Sequence, residues 1–585
     1  MNYRLKILPQ NKTIKVREDE ILADKIQEAG INLSVYCNKR GICGKCFVKI
    51  AEGKLPTLEE REIFLLENKG LSKDYRLACL YRIKSNLSIE IPEESVIQDA
   101  FILKTGIKLP IALEPSIKKY YLQLKKPEIS DPYSLSELFR SYFQDKNLVI
   151  PFNLLKESLN IVEQSKFNVT AVVYNDDEIL NIEQKNTLDK NFGIAIDLGT
   201  TTVVVELVDL NSGESIDITT AANSQMEYGS DVISRISYAC TNPKNLDKLK
   251  ESILETINLM IKQMLDKNNV NSSYVYEVVV AANTSMNHLL LGMPVKSLAV
   301  APFSSVFTCL SPLPLADLGF KINSCGKVYI APNIKSFVGG DISAGLIASD
   351  LANTKGNYLF IDLGTNGEIV LKTKDEFVVT STAAGPAFEG MNISCGTLAS
   401  PGAIYKAEYE NRLALFTIGH KRATGVCGTG LIDLLAIFLD TGKISEKGKI
   451  NDKTKKIPLN GSIYINQKDV REMQLAVGAI KTGIRMILKE FHLSKEKLDG
   501  IYIAGAFGNY LNIKNSMKIG LLPQIDEDKV IFIGNSSLAG AKALLLSKPA
   551  REKIDSLVRR MRYFSLASHP LFQKYFIEAL EFHMY

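Results

Sequence analysis

The sequence predicts a multidomain chain of mixed α/β and α+β class, and three observations support this prediction. Four cysteines are grouped within the first 80 residues, prolines are concentrated between residues 92 and 132, and one strand–turn–strand pattern occurs twice in the C-terminal two thirds. A length of 585 residues exceeds what one hydrophobic core usually supports, so several domains are expected. The apolar content of 46% and the charged content of 23% are those of an ordinary globular protein.

Bulk composition argues against several classes of function. The net charge of +5, without any block of lysine or arginine, predicts that the protein has no nucleic-acid partner. No apolar run reaches the roughly 18 residues of a membrane-spanning helix, and the N-terminal residues lack the apolar core of a signal peptide. Nine cysteines, an odd number, do not resemble a secreted disulfide framework. We therefore expect a cytoplasmic protein without a membrane partner.

The cysteine cluster predicts an iron–sulfur centre. Its members are Cys37, Cys43, Cys46 and Cys79. Their spacing, C-x5-C-x2-C-x32-C, has one more residue in its first loop than the C-x4-C-x2-C of plant-type [2Fe–2S] ferredoxins. Four thiolates suit two iron ions bridged by sulfide. Structural zinc usually takes two separated C-x2-C pairs and only one is present, so zinc and unliganded thiols are the alternatives.

The residues around the cysteines predict a β-grasp ferredoxin domain over residues 1–95. YRLKIL and TIKV form a predicted hairpin, EILADKIQEAG a helix, and FVKI and LSIEI two later strands. A capping box from Thr57 to Glu60 predicts a further helix between those strands. After this domain, five prolines predict an extended linker over residues 96–130. Helical and strand patterns then predict a small α/β middle domain over residues 131–190.

The duplicated pattern predicts a nucleotide site. GIAIDLGTTTVVVEL (193–207) and YLFIDLGTNGEIVL (358–371) share the string IDLGT, and each predicts two apolar strands joined by a polar turn. Asp197 and Asp362, at the strand ends, are placed to hold Mg²⁺ through water. Turn amides and hydroxyls can donate to phosphate oxygens. The turn residues predicted to bind the nucleotide are Gly199, Thr200, Thr201, Thr202, Gly364, Thr365, Asn366 and Gly367.

Two copies of the hairpin predict two similar lobes that face each other across a cleft. We place the lobes at approximately residues 191–355 and 356–550, followed by a helical C-terminal tail over residues 551–585. Three more glycine turns are candidates for the cleft, because glycine lets the backbone approach a ligand closely. They are Gly339-Gly340-Asp341, the GAFG segment with Gly505 and Gly508, and the GNSS segment that starts at Gly534. For GAFG or GNSS alone, a plain connection after a strand is the favoured explanation.

Taken together, these segments resemble one family, the ATP-dependent reductive activators of corrinoid proteins. The similarity extends along nearly the whole chain and is carried by CNKRGICGKC, AIDLGTTTVVVEL, ANTSMNHLLLG, FVGGDISAG, IDLGTNGEIVL, AAGPAFEG, GVCGTGLID, IAGAFGNYL and GNSSLAGA. The family implies a [2Fe–2S] domain, a linker, a middle domain and a two-lobed ASKHA ATPase of the actin/sugar kinase/Hsp70 type with RNase H-like lobes. It also implies Mg²⁺-ATP as a cofactor and a homodimer.

The activity that the resemblance implies is a one-electron transfer from the cluster to a partner corrinoid protein. Inactive Co(II) corrinoid returns to Co(I), which is competent for methyl transfer, and a low-potential donor supplies the electron. Three other functions are compatible with an iron–sulfur domain joined to an ATPase: activation of a different metalloenzyme, a small-molecule kinase fused to a ferredoxin, and a nucleotide-gated binding module. We identify neither the substrate-binding insertion nor the catalytic base that a kinase needs.

Overall fold

The computed structural model describes residues 2–29, 31, 33, 46–58, 62–63, 66, 71–92, 95, 111–130, 132, 134–143, 148–364, 366–374, 376–505 and 511–582. Four of the predicted site residues lie outside these ranges, namely Cys37, Cys43, Thr365 and Gly508. The chain divides into two compact units. One comprises Met1–Phe101 and Ala222–Tyr238, and the other comprises Ile102–Ala221 and Ala239–Tyr585.

The N-terminal part of the first unit contains a five-stranded sheet and, among its described residues, the helix α1. Its elements are β1 (Asn2–Leu8), β2 (Lys12–Arg17), α1 (Leu22–Glu28), β3 (Phe47–Glu52), β4 (Tyr75–Leu77) and β5 (Leu87–Glu90). The strand order is β2-β1-β5-β3-β4, and β1 and β5 are parallel while the other pairs are antiparallel. Alternating residues such as Leu5, Ile7 and Ile89 are fully buried in its core. This arrangement confirms the predicted β-grasp ferredoxin fold.

A small antiparallel sheet with two helices follows the first domain along the chain. Its elements are β6 (Ile117–Gln123), α2 (Leu135–Tyr142), α3 (Phe152–Gln164), β7 (Asn168–Tyr174) and β8 (Glu178–Gln184), in sheet order β6-β7-β8. Strand β6 lies inside the segment that the proline count predicts to be an extended linker. The stretch IKKYYLQ contains no proline and is rich in residues that favour strands, so it pairs with β7 although prolines flank it.

The next segment forms a six-stranded sheet with helices. Its strands are β9 (Phe192–Leu198), β10 (Thr202–Asp209), β11 (Ser215–Ala222), β12 (Val275–Ala282), β13 (Leu313–Pro314) and β14 (Lys327–Ile330). Its helices are α4 (Val232–Thr241), α5 (Pro243–Lys267), α6 (Thr284–Leu291), α7 (Lys296–Ala299), α8 (Leu315–Leu318) and α9 (Gly340–Ala348). The strand order is β11-β10-β9-β12-β14-β13, with β9 parallel to β12 and β12 parallel to β14.

The C-terminal part contains a second six-stranded sheet and two small ones. The strands are β15 (Tyr358–Leu363), β16 (Gly367–Lys372), β17 (Phe377–Thr382), β18 (Ala403–Tyr409), β19 (Leu413–Thr417), β20 (Gly425–Val426), β21 (Lys456–Asn460), β22 (Ile463–Asn466), β23 (Gly500–Ala504), β24 (Val530–Gly534) and β25 (Arg562–Tyr563). The helices are α10 (Gly428–Asp440), α11 (Gln467–Glu490), α12 (Ile513–Lys518), α13 (Ser536–Leu546), α14 (Lys548–Arg560) and α15 (Phe572–Ala579). The large sheet has the order β24-β23-β15-β16-β17-β25.

The two large sheets repeat one topology. In each, three antiparallel strands are followed by two parallel strands on the opposite side of the first strand, as β11-β10-β9-β12-β14 and β17-β16-β15-β23-β24. In each, a helix follows the fifth strand: α9 after β14 and α13 after β24. These helices pack closely, since a methyl group placed on Gly540 would collide with the backbone of Ala344. This duplication confirms the predicted two-lobed ASKHA fold.

One hydrophobic core joins the two sheets. It contains residues of the first sheet such as Val279, residues of the second such as Phe360, and residues of α9, α13 and α14. The segment 551–585, expected to be a helical tail, is therefore part of the packed ATPase: Ile554 of α14 is fully buried in this core, and β25 extends the second sheet. Within the described ranges, no helix combines the length and apolarity needed to cross a bilayer.

Candidate functional site

The first IDLGT hairpin places Asp197 at the end of β9, opposite Val204 of β10. The backbone N–H of Gly199 donates to the carbonyl oxygen of Thr202 at 2.9 Å and closes the turn through Thr200 and Thr201. The side-chain amide of Asn283 donates to the hydroxyl of Thr200 at 3.1 Å, so the start of α6 fixes the turn. The turn thus holds its amides and hydroxyls in one defined position.

Two side chains from α13 hold the carboxylate of Asp197. The amide Nδ2 of Asn535 donates to Oδ2 at 2.8 Å, and the hydroxyl of Ser537 donates to Oδ1 at 2.8 Å. Burial raises the pKa of Asp197, and these two hydrogen bonds oppose the rise. The GNSS segment, for which a plain connection seemed the better explanation from sequence, therefore belongs to this site through its side chains.

The second IDLGT hairpin places Asp362 at the end of β15, opposite Glu368 of β16. The N–H of Gly364 donates to the carbonyl oxygen of Asn366 at 3.1 Å, and β16 then begins at Gly367. On the other side of β15, the chain leaves β23 through Gly505, whose φ of +114° disfavours any residue with a side chain.

Gly505 also brings the chain very close to the second hairpin. A Cβ on this residue would lie 2.7 Å from the carbonyl oxygen of Leu363 and 3.5 Å from Oδ1 of Asp362. The sequence predicts a contact between GAFG and the cleft, and Gly505 does border Asp362.

The Gly339-Gly340-Asp341 turn starts α9 and brings a third carboxylate into the site. Gly339 packs directly on the backbone of Asn283 and Thr284, where no side chain would fit. The carboxylate of Asp341 accepts from the N–H of Ile342 at 2.9 Å. This turn therefore stands beside the first hairpin, which Asn283 contacts through Thr200.

The carboxylates from both hairpins and from α9 influence one another. Burial, followed by the charges of Asp341 and Asp197, raises the pKa of Asp362 to about 7. Burial and the charge of Asp197 raise the pKa of Asp341 to about 7. Burial and the charges of Asp341 and Asp362 raise the pKa of Glu368 well above its ordinary value. Negative charge gathered in this way favours a bound cation.

The arrangement suits a hydrated cation that also binds phosphate. Mg²⁺ keeps several of its waters and takes one or two carboxylates together with phosphate oxygens. Among the described residues, no three acidic, cysteine or histidine side chains converge closely enough to ligate one metal ion directly. Glu368 and Asn283 were not identified from the sequence as site residues. Asn535 and Ser537 lie in the GNSS segment, a candidate from the sequence, but their side-chain contacts with Asp197 were not predicted.

Two cysteines of the first unit lie side by side in the core of the β-grasp domain. Cys46 and Cys79 are 1% and 4% exposed, and the N–H of Ala78 donates to the carbonyl oxygen of Cys46 at 2.9 Å. Cys46 directly precedes β3, whose Phe47 pairs with Leu77 of β4. The antiparallel pair thus brings together the chain positions of two cysteines that are far apart in sequence, and thiolates are the ligands that iron–sulfur clusters require.

His288 has a structural role. Its Nδ1 hydrogen-bonds the carbonyl oxygen of Thr284 at 2.7 Å, and its Nε2 accepts from the N–H of Val306 at 3.0 Å, which defines the Nδ1-protonated neutral tautomer. The ring stacks on Phe307 at 5.0 Å between centroids. Burial lowers the pKa of His288, so the ring stays neutral.

Four family models match successive parts of this chain. Residues 356–584 match the family model described as the C-terminal ASKHA domain of RACo, residues 192–354 the RACo middle region, residues 107–189 the RACo linker region, and residues 5–84 the 2Fe-2S iron-sulfur cluster binding domain. A solved structure titled reductive activator for corrinoid,iron-sulfur protein is 35% identical, with a TM-score of 0.76, and the match covers 99% of this chain and 98% of that chain.

Two curated proteins are similar over long stretches. The corrinoid activation enzyme RamQ of Eubacterium limosum is 32% identical over 96% of this chain and 95% of its own length. The [Co(II) methylated amine-specific corrinoid protein] reductase of Methanosarcina barkeri is 28% identical over 67% of this chain and 77% of its own length.

Fold, site and matches together define an iron–sulfur ATPase, in which a [2Fe–2S] domain of the ferredoxin type is joined to an ASKHA domain that takes ATP and Mg²⁺. Within that class, the chain belongs to the family of ATP-dependent reductive activators of corrinoid proteins.

Proposed function

We propose that this protein returns the inactive Co(II) corrinoid of a partner protein to Co(I), using one electron and the binding and hydrolysis of ATP. The single observation that carries the ATP-dependent part is the convergence of Asp197 and Asp362, from two copies of one hairpin, with Asp341. The relatives named above act as corrinoid activation enzymes or corrinoid protein reductases, which supports the choice of substrate.

In this proposal Cys37, Cys43, Cys46 and Cys79 hold the [2Fe–2S] cluster. When bound, a plant-type cluster would supply one electron at a potential of about −400 mV. The buried position of Cys46 and Cys79 supports their part of the assignment, because a site shielded from water limits side reactions of a strong reductant. The backbone hydrogen bond from Ala78 to Cys46 holds the chain segments that carry these two cysteines next to each other.

The nucleotide is proposed to lie between the two hairpins. Gly199, Thr200, Thr201 and Thr202 from one turn, and Gly364, Thr365, Asn366 and Gly367 from the other, would donate to its phosphates. Asp197 and Asp362 would orient the hydrated cation from opposite sides, with Asp341 near it. Gly339 and Gly340 would allow α9 to lie close to the phosphates. Gly505 and Gly508 would allow the adenosine to lie directly against the backbone.

ATP is needed in this scheme because Co(I) is a stronger reductant than the cluster. Each 100 mV that one electron must climb costs about 2.3 kcal/mol. A nucleotide that binds one lobe arrangement more tightly than another can supply that free energy. The shared core between the sheets suits this task, since packed interfaces switch between discrete arrangements.

Further parts of the proposal rest on the family resemblance and composition. We propose a low-potential electron donor, a homodimer, a cytoplasmic location, and no nucleic-acid or membrane partner. We also propose the domain limits 1–95, 96–130, 131–190 and 191–585, although β6 shows that the second of these segments is partly folded. Light scattering on the purified protein tests the homodimer, and a monomer mass would rule it out.

The decisive experiment mixes reduced full-length protein with a Co(II) corrinoid protein and follows the Co(I) absorption band. We expect the band with Mg²⁺-ATP and little of it without nucleotide. Cys79→Ala should lose cluster iron and sulfide and should form no Co(I), while Cys325→Ala, which removes an exposed thiol, should behave like the parent. Equal Co(I) formation without nucleotide would contradict ATP coupling. A phosphorylated small molecule among the products would favour a kinase instead.

A further inference from the structure

A buried ion pair joins β12 to α14, away from the nucleotide site. Nη1 of Arg551 donates to Oε1 of Glu277 at 2.7 Å, and both side chains are buried. Moving two charges out of water costs free energy, and apolar side chains of similar volume often stabilise a core equally well. Packing alone therefore does not account for this pair.

The pair connects two elements that both reach the first IDLGT hairpin. Strand β12 carries Glu277 near its start, and Asn283, directly after its end, donates to the hydroxyl of Thr200 at 3.1 Å. The start of α13 holds Asp197 through the hydroxyl of Ser537 at 2.8 Å. At their ends away from the hairpin, these two elements are linked through Arg551.

Arg551 fixes the far end of α13. Its Nε donates to the carbonyl oxygen of Leu544 at 2.6 Å. About two helical turns, or roughly 11 Å, separate Leu544 from Ser537. Because closely packed interiors transmit displacements, a shift of α13 at Leu544 also moves Ser537.

The corner between α13 and α14 is held from outside as well. The N–H of Glu114 donates to the carbonyl oxygen of Leu546 at 2.8 Å, and the N–H of Lys548 donates to the carbonyl oxygen of Glu114 at 2.8 Å. Nη1 of Arg551 also donates to the hydroxyl of Tyr174 at 3.4 Å. These bonds give Arg551 a defined position at the corner.

The ion pair does not use all of its hydrogen-bonding groups. Oε2 of Glu277 and Nη2 of Arg551 are buried and have no hydrogen-bond partner among the described residues. A guanidinium and a carboxylate can form two parallel hydrogen bonds, and unsatisfied buried polar atoms cost free energy. A small shift of α14 relative to β12 would allow the second bond, so the pair has two available arrangements.

We propose that Arg551 is a positioning residue for the nucleotide site, which acts through α13 on Asp197. Nucleotide at the first hairpin shifts α13, and the pair of Arg551 with Glu277 then changes from one hydrogen bond to two. The inference rests on the proposed function, because it places the nucleotide at this hairpin.

Calorimetry on the full-length, cluster-loaded protein tests the inference with a non-hydrolysable ATP analogue and Mg²⁺. Arg551→Lys keeps the positive charge but cannot form two parallel bonds. Its dissociation constant for the analogue should rise about fivefold or more, as for coupled sites. Arg560→Lys, at an exposed position of the same helix, is the control and should bind like the parent. Parent affinity in Arg551→Lys would overturn the proposal.

A double variant distinguishes positioning from a general loss of structure. If Arg551 acts through α13, Arg551→Lys combined with Ser537→Ala should bind the analogue about as well as Ser537→Ala alone. Losses at distant, independent sites add in free energy, so the two losses of affinity would instead multiply. A multiplied loss would contradict the proposal.

Two further outcomes separate this inference from the proposed function. Parent affinity in Asp197→Ala would refute the nucleotide assignment itself, and this inference with it. Weakened binding in Asp197→Ala with parent affinity in Arg551→Lys would refute this inference alone. If Arg551→Lys does not fold, the paired variant Glu277→Leu/Arg551→Met replaces it in the same measurements, because it removes both buried charges together.

Discussion

The two IDLGT hairpins have the same five letters, but their aspartates differ in hydrogen bonding. Asp197 receives two hydrogen bonds, from Asn535 and Ser537. Within the described ranges no side chain donates to Asp362, and its pKa is raised to about 7 by burial and by the carboxylates of Asp341 and Asp197. Both aspartates are buried near other carboxylates, and among the described side chains only those around Asp197 donate hydrogen bonds to it.

The duplicated topology explains this difference. The helix after the fifth strand of each half acts on the aspartate of the other half: α13 presents Asn535 and Ser537 to Asp197, and α9 presents Asp341 near Asp362. The backbone arrangement is the same in both halves, but the side chains differ: α13 brings neutral donors to one aspartate, and α9 brings a carboxylate near the other. The two hairpins therefore share one backbone arrangement and differ in the side chains that the two helix starts bring to them.

The largest expected effect follows from removing the aspartates themselves. Asp362→Ala should lower ATP hydrolysis by about 100- to 1000-fold, as for other groups that stabilise developing charge, because the cation loses its ligand in the second lobe. Asp197→Ala should cause a loss of the same order without bleaching the cluster. Phosphate release measures both, with the exposed Asp528→Ala as the control. Parent rates in both variants would make the repeat purely structural.

A smaller effect is expected when only the support of Asp197 is removed. Ser537→Ala deletes the hydroxyl that donates to Oδ1, and a hydrogen bond to a charged group contributes about 1.5–3 kcal/mol, so the affinity for Mg²⁺-ATP should fall about tenfold or more. Ser536→Ala is the matched control, since its buried hydroxyl has no hydrogen-bond partner among the described residues. Equal losses in the two serine variants would show a general effect on α13.

Asp341 and Asp362 each have a pKa of about 7, which predicts that protons are released when the cation binds. Mg²⁺ needs ionised carboxylates, so its apparent affinity should weaken as pH falls below 7, by up to about tenfold per pH unit for each proton displaced. Calorimetry in two buffers of different ionisation enthalpy measures the protons released. Ser537→Ala should keep this release and Asp362→Asn should reduce it. A proton count of zero in the parent would contradict the raised pKa values.

The comparison also separates what the sequence could predict from what it could not. The IDLGT strings predicted both hairpins, because strand periodicity and glycine turns are local properties. Asn535 and Ser537 were missed as partners of Asp197, since 338 residues separate Asn535 from it and only the packing of α13 brings them together. Glu368 was missed although its register opposite Asp362 could have identified it, as a lone charge in the apolar strand GEIVLK.

The N-terminal β-grasp domain also shows which features can be predicted from sequence and which depend on tertiary structure. The cysteine spacing predicted the type of cofactor, and strand patterns predicted the order of elements around it. The proximity of Cys46 and Cys79 depends on the pairing of β3 with β4, which is a tertiary property. Proline counting did not predict β6 within the linker segment, because composition averaged across a segment conceals a short strand between prolines.

The smallest effect is expected at Glu368, which faces Asp362 across the second hairpin. Burial and the charges of Asp341 and Asp362 hold its pKa well above its ordinary value, which favours the protonated carboxyl. An amide has the shape of a protonated carboxyl and about the same volume, and swaps that conserve volume are the best tolerated. Glu368→Gln should therefore lower ATP hydrolysis less than any of the variants above.

Stability gives Glu368→Gln a second measurement with a definite sign. In the parent, the unfolded state loses the proton of residue 368 above about pH 4.5 while the folded state keeps it, which favours unfolding by up to about 1.4 kcal/mol per pH unit until the folded pKa is reached. Glutamine removes this effect, so the stability of Glu368→Gln relative to the parent should rise with pH above about 4.5 in thermal denaturation of the nucleotide-free protein. If Glu368→Gln abolishes hydrolysis and gains no stability with pH, Glu368 rather than Asp362 is the ionised carboxylate that hydrolysis needs in the second hairpin.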